Sequence, residues 1–137
     1  MDESKFPLFQ NLTDKAYAVW QKTKAGFTEV LMDLDRNERN ALVLDKLIGQ
    51  VQNGGFSQWI DNGYATEVDF TFLKHALQAV GTDTAMTVLR MAERAVKLAA
   101  EREGEEEIIE LDELDTKFYE LDDQLILDIE AYFVTRG

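Results

Sequence analysis

Carboxylates near the C-terminus dominate the chemistry open to this chain. Glu103, Glu106, Glu107, Glu110, Asp112, Glu113, Asp115, Glu120, Asp122 and Asp123 lie in a stretch whose basic side chains are Arg102 and Lys117. In a helix rising about 1.5 Å per residue, steps of three or four residues set carboxylates roughly 5–6 Å apart on one face. If the preceding helix runs on through Glu110, then Glu103, Glu106, Glu110 and Glu113 form one such row. Glu113 with Glu120, and Asp115 with Asp122, repeat at twice that interval. Fixed negative charge at this repeat approaches that of the phosphates along a nucleic-acid strand. Like charges so placed destabilise a helix by about 0.2–0.5 kcal/mol per pair. The sequence accepts that cost several times, although Gly104 threatens to break the row. These carboxylates are the candidate partner-binding residues. The plain alternative is a solvated face that keeps the chain soluble.

Other chemistries are poorly supplied. There is no cysteine, which removes disulfides, thiolate metal sites and a cysteine nucleophile. Asp33-Leu34-Asp35-Arg36-Asn37 begins like a calcium loop, but Glu38 stands where glycine is needed and Leu44 where the bidentate glutamate belongs. A dimetal carboxylate bundle wants Glu-x-x-His pairs. The sole histidine, His75, is preceded at that spacing by Phe72, and it is expected to be surface polar or partly buried. Ser4 and Ser57 are the only serines, and neither sits in a nucleophile elbow. No phosphate-cradling glycine loop is present. No metal, cofactor or catalytic residue is therefore expected, and the chain is not expected to be an enzyme.

The net charge is −13 over 137 residues. Residues 1–100 carry 13 acidic and 11 basic side chains, against 14 and 3 in residues 101–137. Phosphates and anionic membranes repel such a surface, so neither nucleic acid nor membrane is an expected partner. A basic protein is. No apolar run approaches the ~20 residues of a membrane span, and the N-terminus lacks the pattern of a signal peptide. A cytoplasmic, bacterial or phage protein is expected.

The elements that must position these residues read as helices throughout. Thr13 is the expected N-cap of the first, with Pro7 before it and Gly26 loosening its end. Residues 36–52 form a second, with Leu44, Leu47, Ile48 and Val51 in one stripe. Asn53-Gly54-Gly55 stops it. Residues 56–60 make a short helical turn ended by Asn62-Gly63. Thr66 opens a capping box, Gly81 ends the helix that follows, and Thr82 or Asp83 caps the next. In the acidic segment Leu111, Leu114, Phe118, Leu121 and Leu125 recur at steps of three and four, extended by Ile129 and Phe133. That periodicity predicts one long helix over 110–135, or two with a break near Asp122-Asp123. The expectation is an all-α, single compact helical domain of six to seven helices spanning 1–137.

Between two glycine turns, Asn53, Gly54, Gly55, Phe56, Gln58, Trp59 and Asn62 are dense in special residues. The structural expectation is a rigid corner. The functional alternative is an amide-lined pocket in a ligand-binding or enzymatic domain, with His75 as a further member.

This pattern, Asn-Gly-Gly-Phe-x-Gln-aromatic-x-x-Asn, resembles the signature of a bacterial family of small helical proteins that includes a DNA mimic. A second stretch matches the same family: Leu114, Asp115, Phe118, Tyr119, Leu121 and Asp122. The resemblance covers about residues 36–135. It implies an all-α fold, a scaffold role for the Asn-Gly-Gly motif, and an acidic surface imitating duplex DNA. Such a surface would occupy a basic DNA-binding protein, a transcription regulator or a nuclease. A dimer would extend it. An immunity protein against a basic toxin is the second binding role open to such a chain.

Overall fold

The computed structural model describes residues 6–104 and 108–136, and Glu106 and Glu107 lie outside them. Six helices follow one another: α1 (Pro7–Thr23), α2 (Phe27–Asp33), α3 (Arg36–Asp61), α4 (Glu67–Val80), α5 (Asp83–Glu101) and α6 (Ile109–Arg136). No strand occurs among the described residues, as the lack of alternating patterns predicts. α3 touches each of the other five helices, and α6 packs on α1, α3, α4 and α5. The acidic helix is thus a wall of the core rather than an appended tail.

Local chemistry sets most of the boundaries. Asp35, Thr66 and Thr82 cap α3, α4 and α5, each accepting a hydrogen bond from the backbone N–H three residues on. Gly81 closes α4 at φ +72°, where a side chain would be strained. The Asp33–Asn37 stretch is the end of α2 and the capped start of α3.

The first helix begins earlier than Thr13 suggests. Pro7 occupies its first turn, where a missing N–H costs nothing, and Phe6 is the cap residue without a capping side chain. The exposed N–H groups of Leu8 and Phe9 donate instead to the two carboxylate oxygens of Glu130, at 3.1 and 2.9 Å. A carboxylate there is doubly favoured, by the hydrogen bonds and by the helix dipole. Thr13 is buried inside α1, and its hydroxyl makes no hydrogen bond among the described residues.

α6 is continuous through Asp122 and Asp123. Leu111, Phe118, Leu125, Ile129 and Phe133 of the expected stripe are buried, whereas Leu114 and Leu121 are only half-buried. Leu114 and Leu121 still pack against the core. Asp115 and Asp122, half-buried beside them, widen the inner side of the helix and bond to α3.

Candidate partner-binding face

The corner and the second motif meet in one joint. α3 is kinked, with non-helical dihedrals at Gly54 (φ −154°, ψ 18°) and Gly55 (φ +79°, ψ 179°). A kink leaves backbone groups on its two sides in need of partners. α6 supplies them. Asp115 Oδ1 accepts from Phe56 N–H at 2.8 Å, and Tyr119 Oη donates to the Val51 carbonyl at 2.9 Å. Gln52 Nε2 donates to Asp122 Oδ2 at 3.1 Å. Beneath these bonds Phe56 meets Phe118 edge-on, with ring centroids 5.8 Å apart, and Trp59 at 6.1 Å. A residue with φ +79° and ψ near 180° must be glycine. A Cβ on Gly55 would also strike the Asp115 carboxylate.

The amides of the corner bond to one another. Asn53 Nδ2 donates to Gln58 Oε1, and Gln58 Nε2 and Asn62 Nδ2 both donate to Gln50 Oε1. Trp59 is enclosed in the core. The rigid-corner expectation describes this arrangement. His75 is exposed and distant in role from it, bordering a cleft with Arg36, Arg39, Asn40 and Phe72.

The acidic residues divide by what holds them. The expected row through Glu103, Glu106, Glu110 and Glu113 needs one helix, and the backbone does not provide it. α5 ends at Glu101, Arg102 is extended, Gly104 sits at φ +68°, and α6 starts at Ile109. Glycine's poor helix propensity accounts for a stop here. Glu103 is exposed on that connection, and Glu106 and Glu107 fall outside the described residues. Glu110 pairs with Arg94 through two hydrogen bonds of 2.6 and 2.9 Å, the fork geometry that suits guanidinium to carboxylate. That hydrogen bonding, with the arginine charge, holds Glu110 below the usual carboxylate range. Asp115 and Asp122 face the joint. Asp112, Glu113, Glu120 and Asp123 are exposed.

Those last residues share a side of α6. Glu113, Thr116, Glu120 and Asp123 recur at steps of three and four, with Asp112 beside them. Glu113 and Glu120 stand about 10 Å apart along the axis, and Glu120 and Asp123 about 5 Å. Lys117, exposed between Glu113 and Glu120 in sequence, is the one cation on this half of the helix. The helix that carries the face is hydrogen-bonded to α3 along its inner side at the joint, which ties the charges to the core.

The profile of the DMP19-like protein family matches residues 32–136, most of the chain. The chain belongs to the DMP19-like family, a DNA-mimic family. No curated protein and no solved structure matches it. The matched region takes in α3 to α6, hence both halves of the joint. In this DMP19-like chain the two motifs meet at the joint, where each completes the other's hydrogen bonds.

Among the described residues no group of acidic or histidine side chains is arranged to hold a metal ion, and no helix is long and apolar enough to cross a membrane.

Two carboxyls set back from solvent give the expected pH response its direction. Burial pushes the Asp45 carboxyl above the ordinary 3.8, partly offset by the hydrogen bond from Tyr17. Burial pushes Asp115 up as well, against the lowering effect of the Phe56 N–H. Groups with a raised folded-state pKa bind protons more tightly in the folded chain. Their contribution is fully present below the unfolded value and is lost as pH rises through the folded one. Acidification also reduces repulsion within a strongly anionic chain. We expect stability to rise as pH falls from neutrality toward the ordinary aspartate value of 3.8, and a weaker pH dependence in Asp45→Asn. A Tm that falls steadily over that range would contradict this assignment.

Proposed function

We propose that this protein is a DNA mimic that occupies a basic DNA-binding protein through the outer face of α6. Asp112, Glu113, Glu120 and Asp123 form the centre of that face, with Glu103 on the adjoining connection. The observation that carries the reading is the division among the carboxylates. Glu110, Asp115 and Asp122 are engaged within the fold, while the exposed ones project from one side of a single helix fixed to the core. Membership of a DNA-mimic family supports the same reading. A transcription regulator or a nuclease fits as the partner, because both carry a cationic groove shaped for phosphates. Encounter with such a groove would be fast and strongly salt-dependent.

The test is affinity capture from a bacterial lysate at low and at high salt, with mass-spectrometric identification and with duplex DNA as competitor. The expected result is a DNA-binding protein retained at low salt and displaced both by salt and by duplex. Retention of a partner that duplex DNA does not displace would remove the mimic reading. If that partner were a basic toxin, the immunity role would stand in its place.

A further inference from the structure

One cleft runs against the charge of the whole chain. The sequence holds 27 acidic and 14 basic residues. Yet the cleft between the start of α3 and the middle of α4 is lined by Arg36, Arg39, Asn40, Phe72 and His75, with no carboxylate among them. Its volume is about 300 Å³, at the lower end of the range for small-molecule sites.

The side chains are held as a binding site holds them. The Arg39 guanidinium is fixed by two backbone carbonyls: Nε donates to Leu31 at 2.7 Å and Nη2 to Leu34 at 2.9 Å. It lies 4.9 Å from the Phe72 ring centroid, so its plane cannot swing away freely. Those bonds use part of its donor set and leave further N–H groups. Arg36 is exposed at the mouth and has no ion-pair partner among the described residues. Asn40 is 5% exposed, and its side-chain amide makes no hydrogen bond among the described residues. The amide is nevertheless not cut off from solvent, because Thr13 Oγ1 is the only enclosed unpartnered side-chain atom among the described residues; it opens on the cleft that Asn40 lines. An amide that opens on a cationic cleft can exchange water for a ligand acceptor.

We propose that this cleft binds a small oxyanion, the phosphate of a monoester or an organic carboxylate. Arg36 and Arg39 supply charge, the Asn40 amide donates a directional hydrogen bond, and His75 and Phe72 form the rim. The chemistry of both ligands is a compact acceptor group with negative charge, which guanidinium groups recognise. Asp33 and Asp35 flank the start of α3 and oppose the anion at long range. Salt screens such exposed charges more than it screens contacts inside the cleft. This site is independent of the α6 face, and either proposal can fail without the other.

The test is a thermal-shift series with the full chain at constant ionic strength. Inorganic phosphate, phenyl phosphate and benzoate are titrated against chloride, with the His75 and Phe72 ring signals followed by NMR. A ligand that binds only the folded state raises Tm as it saturates the site. Phosphate or phenyl phosphate alone raising Tm and moving the ring signals would identify a phosphate site, and benzoate alone a carboxylate site. The exposed Arg36→Gln should fold normally and lose the shift. Asn40→Ala should lose the shift and, without any anion, melt no lower than the parent, because it removes an unbonded amide. The proposal is overturned if no anion exceeds chloride, if the shift survives Arg36→Gln, or if Asn40→Ala lowers the ligand-free Tm while keeping the shift.

Discussion

Gly55→Val is expected to destabilise the protein by about 2.5–6 kcal/mol, from two sources that add. The first is backbone strain. At φ +79° and ψ 179° the residue occupies a region essentially reserved for glycine, and forcing another residue there costs about 1–3 kcal/mol. The second is the joint. The new Cβ meets the Asp115 carboxylate, so either the kink or α6 must move. Movement sacrifices the charge-assisted bond to Phe56 N–H, worth about 1.5–3 kcal/mol. Chemical denaturation of the variant measures the loss. Gly49→Ala is the control, because no atom lies near its added Cβ and the residue is within α3. That change should stabilise by about 0.5–1 kcal/mol. A Gly55→Val loss below about 1 kcal/mol would mean that the backbone relaxes without strain, contrary to the ordinary cost of such a conformation.

Gly55 also shows what the sequence could and could not disclose. The Asn53-Gly54-Gly55 stop, the helical turn after it and the capping residues Thr66 and Thr82 are local effects. Turn chemistry and backbone propensity act within a few residues, and they were legible. Thr13 misled because the true start of α1 is stabilised by Glu130, more than a hundred positions away along the chain. No window on the sequence reveals such a partner. The acidic helix is a mixed case. Its existence follows from its apolar period, but assigning each carboxylate to solvent or to the core needs the phase of that period. The signal was present. Asp115 lies four residues after Leu111 and three before Phe118, and Asp122 stands in the same relation to Phe118 and Leu125. Those offsets put both aspartates on the inner seam. Counting them with Glu113 and Glu120 as partner-binding followed their charge; their phase also gives them bonds to α3. The break after Glu101 was legible at Gly104. Arg94 as the counter-ion of Glu110 was not, because it comes from another helix.

The same division among carboxylates separates a binding variant from a folding variant. Glu113→Lys, Glu120→Lys and Asp123→Lys in one chain should weaken partner binding at low salt by at least about a hundredfold, since each reversal opposes a cationic groove at a cost near 1 kcal/mol or more. The three residues are exposed on α6, so the helical circular dichroism and the melting temperature should change little. Surface substitutions of this kind usually stay within about 0.5 kcal/mol. Asp115→Ala should do the reverse. It removes the acceptor of the Phe56 N–H and lowers stability, while folded molecules keep the outer face and bind at near-parental affinity. The pair of variants therefore separates charge on the face from support beneath it, which total charge alone cannot do. If the triple variant binds its captured partner as tightly as the parent, the outer side of α6 is not the interface. If Asp115→Ala abolishes binding without loss of stability, Asp115 belongs to the interface and the joint has been given the wrong role.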